Sequence, residues 1–433
     1  MESDLQLGTA KINITPLKKI PLAGFAHRTE AFEAVSHPLH LRILLFQGRD
    51  STGGRTCVLV VSADLIWWGN ERVTSLRQQI RKKWGIEPAS IILHATHNHS
   101  GPQTSKLFTP SLGRCDEEYV AFLETKLLEG IDLAFNSLEP VSVERGSGEC
   151  QMGIHRRKQV DGEMVMAPNE MGPVDPQIHV IRYKTKSQKT KALLVHYTCH
   201  PTTTGDNFVS SEFPGFAMDV LERELGSQVV AAYLQGCCGD IRPALLKNGD
   251  FYRGTDKEVQ ALGRKLAAEV LTVLKKPMQP VSFSSLAGRS LTVDLPFLEL
   301  PSLSYLEAAA RDAEIIGEWA QLLLEQPERI KPAIPLEMTL ISIAEELSLL
   351  AMNGEAVVDY GLFIKEQFNG HVLPVPYSNG MIGYIPTAKQ VIEGGYEAKE
   401  SVYYFGLPAS FAPSLEKRIC NGFITLVRKG KLI

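Results

Sequence analysis

The chain has 433 residues, 44% of them hydrophobic and 22% charged, with a formal net charge of −4, which allows a large buried core and argues against nucleic acid or an anionic membrane surface as partner, since both favour a basic field. No apolar run approaches the roughly 18 residues that span a bilayer, and the acidic start MESD leads into no signal-peptide core. A cytoplasmic protein without an integral membrane segment is therefore expected.

In chain order, VLVVSADLIWW (58–68) reads as a strand, NERVTSLRQQIRKKWG (70–85) as an amphipathic helix and SIILHAT (90–96) as a short apolar strand. A helix is expected over 116–136. The β-α-β rhythm then returns, with ALLVHYTCH (192–200) as a strand, FPGFAMDVLERELG (213–226) as a helix closed by glycine, and QVVAAYLQG (228–236) as another strand. Helices over 256–275 and 303–330 and strands within 280–296 and 335–352 follow, with QPERIKPAIP marking a connector near 327–335. This alternation predicts an α/β fold in which mixed β-sheets are flanked by helices. The seven cysteines lack the paired spacing of a structural zinc site, and Cys237 and Cys238, beside a glycine turn, are expected to pack as small apolar residues.

Three segments carry chemistry. HATHNHSGP (94–102) ends a strand in His94, His97 and His99; two apart on an extended backbone, His97 and His99 would face the same side and could share one site. HYTCHPTTTG (196–205) repeats the pattern with His200 at a second strand end, and imidazoles from separate strand ends suit a metal site of fixed geometry. QGCCGDIRP (235–243) is a glycine-rich turn carrying Asp240 and Arg242, whose backbone N–H groups could approach a ligand oxygen.

Taken in order, GTAKINITP, LAGFAHR, SADL, ATHNHSGP, CHPTTTG and GDIRP resemble the neutral/alkaline ceramidase family over nearly the whole chain. The resemblance implies a zinc-dependent catalytic domain over 1–433 that cleaves a linear amide, with one Zn²⁺ per chain and a place in sphingolipid metabolism. It places the metal ligands on His97, His200, Glu355 in Asn353-Gly354-Glu355, and Tyr384 in YIPT, twelve residues before the YEA of 396–398. His99, two residues from a ligand and on the same side, is the candidate general base, and the resemblance gives Arg156 a substrate-binding place. Asp240 would orient a histidine or bind substrate, and the Gly239 turn would steady an oxyanion. Two departures stand out: Arg242 occupies the place of the family's active-site serine, and the family's extra C-terminal immunoglobulin-like domain is expected to be absent. A fixed cation at 242 favours an anionic or strongly polar N-acyl substrate, such as an acylated amino sugar or amino acid, over ceramide. A metal-assisted phosphoesterase and a non-catalytic zinc-binding homologue are the alternatives.

Overall fold

The computed structural model describes residues 5–428. Its largest sheet sets eight strands side by side in the order Val230–Gln235, Thr190–Tyr197, Gln177–Thr185, Glu139–Glu149, Gln6–Asn13, His40–Arg49, Arg55–Ala63 and Ile91–Ala95, and a ninth, Gln279–Val281, pairs with Glu139–Glu149. Only the outermost pair at each end is parallel. A parallel pair needs a crossover, and helices Asn70–Trp84 and Glu212–Leu225 supply the two. The two ends of the sheet meet: the Ser62 hydroxyl donates to the Tyr233 carbonyl at 2.6 Å, and the Gln235 N–H donates to His94 Nε2 at 2.9 Å. The C-terminal ends of both parallel pairs thereby open onto one place.

Both faces of this sheet are covered, which is why its strands read as continuous apolar runs rather than alternating ones. Ile43 and Leu45 pack with Leu127 and Ile131 of helix Glu117–Asn136. Leu44 and Phe46, one pleat over, pack with Ile341, Leu349 and Leu373 of a second sheet. Each such side chain is buried and contributes about 1.5–3 kcal/mol. The second sheet has four strands, Ala287–Pro296, Ala333–Ala344, Leu347–Met352 and Val372–Val375, the last pair parallel across helix Val358–Gln367. A third, of three strands, pairs Gly153–Val160 with Glu163–Asn169 and with Ile241–Pro243.

Three boundaries differ from the sequence reading. The strand expected over 58–68 stops at Ala63, because the Asp64 carboxylate turns to accept the His40 N–H at 2.9 Å and Arg42 Nη1 at 3.1 Å. The helix expected over 303–330 is two helices, Leu303–Ala309 and Ile315–Glu325; between them the Asp312 carboxylate takes the Glu314 N–H at 2.7 Å, a local bond that competes with the helical ladder. The connector near 327–335 is a 3-10 turn, Pro327–Arg329, followed by the strand that starts at Ala333, and Arg329 fastens it by donating to the carbonyls of Leu107, Phe405 and Gly406. Among the described residues no helix is long and apolar enough to cross a membrane.

Candidate metal centre

The strand Ile91–Ala95 ends two residues before His97, whose φ of 64° lies in the left-handed region. The extended geometry expected for His97 and His99 is therefore absent; a tight turn brings their rings together instead, with His97 Nε2 3.1 Å from His99 Nε2. For a non-glycine residue such a backbone costs about 1–3 kcal/mol and persists only where its surroundings fix it. Here Asn98 does so, its Oδ1 accepting the Ser100 N–H at 2.8 Å and its Nδ2 donating to the Asp64 and Ser210 carbonyls. Tyr377, also at positive φ, stacks on His97 with ring centroids 4.2 Å apart.

His200 arrives from the other end of the sheet. Gln235, fully buried, ties the two arms together: its Nε2 donates to the Thr96 carbonyl at 3.3 Å and to the Cys199 carbonyl at 2.8 Å, the residues just before His97 and His200. His94, the first histidine of its cluster, is structural. It accepts the Gln235 N–H and contacts Ser378 Oγ at 2.9 Å, and burial pushes its pKa down to about 3.

Three imidazole nitrogens now face one another. His97 Nε2 lies 2.9 Å from His200 Nε2, and His200 Nε2 lies 3.3 Å from His99 Nε2. Each ring turns its Nδ1 to a backbone carbonyl, of Ile66, Gly24 and Cys238 for His97, His99 and His200. A carbonyl only accepts, so each Nδ1 carries a proton and each ring turns its Nε2 toward the other two. Burial holds His99 and His200 well below the ordinary histidine range, with neighbouring positive groups adding to the effect. Glu355 Oε1 stands 3.2 Å from His97 Nε2 and 3.4 Å from His200 Nε2, buried and without a hydrogen-bond donor of its own. Ring nitrogens converging beside an orphaned carboxylate oxygen suit a cation between them. The donor set, borderline nitrogens with a carboxylate, fits a first-row divalent ion such as zinc.

Glu355 and Tyr384 face each other in a two-residue parallel bridge, Glu355–Ala356 against Tyr384–Ile385. The Tyr384 hydroxyl accepts from Arg156 Nη2 at 2.9 Å, while Arg156 Nε donates to Glu397 at 2.7 Å. Burial pushes the Tyr384 phenol well up, against the pull of Arg156. Arg157 turns away from the cavity to Glu397, Glu393 and the Gly394 carbonyl.

Asp240 takes the first of its two expected roles, and Gly239 does not meet the site as expected. The Asp240 carboxylate is fully buried and accepts from His155 Nε2, the Val358 N–H and Gln390 Nε2, so it orients a histidine that is not one of the cluster. The Gly239 N–H is spent on the Ala356 carbonyl at 3.0 Å, and a Cβ there would press to 3.1 Å against the carbonyl oxygens of Glu355 and Ala356. Both residues position the Glu355 segment.

The family model for neutral/alkaline non-lysosomal ceramidase, N-terminal, matches residues 5–260. The chain belongs to this ceramidase family. Among solved structures, a neutral ceramidase from Pseudomonas aeruginosa superposes with a TM-score of 0.76 at 18% identity, over 99% of this chain and 75% of that one. A second, described as ceramidase complexed with C2, gives 0.75 at 17% identity, over 99% and 76%. At such identities the likeness speaks for the fold. No curated protein sequence matched.

In this ceramidase-family chain the cluster floors a cavity of about 320 Å³ lined by His99, Arg156, His200, Thr202, Arg242 and Tyr384 among others. Arg242 reaches it from the strand Ile241–Pro243, with its guanidinium 4.5 Å from the Phe251 ring centroid. Gly24 must be glycine here: its φ is +94° and a Cβ would lie 2.4 Å from His99 Nδ1. Sequence reasoning missed Gln235, Tyr377, Arg253 and Phe25. Gln235 opens QGCCGDIRP but lies ahead of its glycine turn, Tyr377 lies outside the three segments, and Phe25 sits in LAGFAHR, whose only signal is the family resemblance.

Proposed function

We propose that this chain is a zinc-dependent hydrolase of a linear amide bond, with His97, His200, Glu355 and Tyr384 holding the metal. The single observation that carries the reading is the convergence of three Nε2 atoms on one another, two of them beside an orphaned, buried Glu355 oxygen, beneath an open cavity. A zinc ion there supplies Lewis acidity toward a carbonyl oxygen and lowers the pKa of a water molecule toward neutrality. Hydrolysis adds hydroxide to the acyl carbon, breaks the C–N bond and gives the departing nitrogen a proton.

The chain's own residues divide the remaining work. His99 lines the cavity and, unlike His97 and His200, has no close contact with Glu355, so it is the imidazole placed to take a proton from water and return it to the amine. Arg156 fixes the Tyr384 oxygen and, through Glu397, is itself fixed. The Nδ1 bonds to backbone carbonyls orient the rings and raise their basicity as ligands.

The test is metal content of the purified protein, wild type against His97→Ala and Glu355→Ala, followed by primary-amine release from N-acyl substrates of increasing chain length. One zinc per chain, lost in both variants, with amine released from some member, is expected. A wild type that takes up no metal on addition of zinc refutes the ligand set.

A further inference from the structure

We propose that the substrate carries an anionic oxygen group, a carboxylate or a phosphate, bound at the cavity mouth by Arg242 and Arg253. The bond cleaved rests on the amide-hydrolase reading above; the anion site rests on its own residues. Arg156 is committed to Glu397 and Tyr384, whereas among the described residues Arg242 and Arg253 form no ion pair or hydrogen bond with an acid, and only the charge of Glu212 acts on Arg253. Their guanidiniums lie over the rings of Phe251, at 4.5 Å, and Phe25, at 3.8 Å, and both side chains line the cavity. Aromatic faces orient a guanidinium while leaving its N–H fork free for a planar oxyanion.

Two buried groups nearby lack acceptors or donors. Arg28 is 5% exposed, sits 4.5 Å from the same Phe25 ring, and none of its three guanidinium nitrogens makes a hydrogen bond. The Thr202 hydroxyl, in the cavity wall, is buried and unpartnered as well. Glu212, the buried acid of this region, already accepts from the Thr204 and Phe213 N–H groups. Its charge also acts on both Arg28 and Arg253, and Asp206 adds to Arg28, so the three cations Arg28, Arg242 and Arg253 outnumber the two carboxylates that act on them. Burial together with Arg156 and Arg253 pulls the Arg242 pKa down to about 10, as uncompensated cations would. Ceramide has hydroxyls and no ionised group, so it would leave these arginines unanswered. Hydrolysis leaves the anionic group untouched and unchanged in charge, serving only to anchor.

Zinc-loaded protein is assayed for amine release from N-octanoylethanolamine, its O-phosphate and N-octanoylglycine, which separate neutral, phosphate and carboxylate anchors on one acyl chain. In parallel, calorimetry follows N-octanoylglycine and N-octanoylethanolamine phosphate binding to metal-free protein, a readout independent of turnover. The expected result is a kcat/KM at least about ten-fold higher for one anionic substrate than for the neutral one, a charge-assisted hydrogen bond being worth that much. Arg242→Ser and Arg253→Gln each reduce that ratio and weaken binding of the preferred anion, and Arg242→Lys retains part of both. Equal kcat/KM across the three substrates, or a ratio and affinity unchanged in both neutralising variants, overturns the proposal. Arginine-dependent anion binding without cleavage of any amide would uphold the anchor and remove the amide-hydrolase reading.

Discussion

Replacing Asp240 by alanine removes one acceptor that serves three buried donors, the Val358 N–H, Gln390 Nε2 and His155 Nε2. Each buried donor left without an acceptor costs about 1–3 kcal/mol, and the space vacated adds a cavity term, so a loss of roughly 4 kcal/mol or more is expected. Urea unfolding of metal-free protein, followed by tryptophan fluorescence, measures it as a fall in midpoint at constant slope. The penalty also has a pH signature. Burial pushes the Asp240 pKa up, but the His155, Val358 and Gln390 hydrogen bonds outweigh it and leave it below the ordinary 3.8. Its contribution is thus present above that value and lost as pH falls through the folded pKa. For His155, burial pulls the pKa down while the Asp240 bond and charge lift it, with a net rise above 6.5. That contribution is complete below 6.5 and lost as pH climbs through the raised value. The gap between wild type and Asp240→Ala should therefore be widest between about pH 4 and 6.5 and narrow toward pH 9. A gap under about 1 kcal/mol at pH 6, or one that widens toward pH 9, refutes this account of the carboxylate.

Gln235→Ala should weaken metal binding by about 10–100-fold while leaving every proposed ligand in place, because its amide fixes the backbone before His97 and His200; competition against a chromogenic chelator reads it directly. Arg42→Ala should destabilise the protein by about 3–5 kcal/mol in guanidinium unfolding, since it leaves the buried Asp64 carboxylate without its cation and Asp219 and Glu222 with Lys11 alone.

The α/β class was legible because strands buried on both faces read as unbroken apolar runs, and the crossover helices between their parallel pairs end on glycine signals, as at Gly85. Helix Asp256–Lys275 has the expected bounds, and a capping box of Thr255 and Glu258 fixes its start. The histidine clusters announced themselves by density and by lying at strand ends. Glu355 and Tyr384 could be reached through family resemblance alone, since a two-residue bridge between them leaves no periodic trace. The left-handed turn at His97 was not legible either, because histidine gives none of the permission that glycine does. Gly239 misled for a related reason: a glycine-rich turn looks the same whether its N–H awaits a ligand or, as here, is given to a neighbouring carbonyl.

The parts of the centre are widely scattered along the chain. Three imidazoles are in place by residue 200, the carboxylate follows at 355 and the phenol at 384. Proteins emerge from the ribosome N-terminus first, and early segments begin to fold before later ones exist. Until the bridge of Glu355 with Tyr384 closes over them, the histidines are an open trio with nothing to balance an arriving cation. On the proposed ligand set, metal retention would wait for that bridge, which is separate from the second sheet and formed by residues that follow its last two strands, and a chain interrupted after residue 260 would carry the family's matched segment without the carboxylate and the phenol.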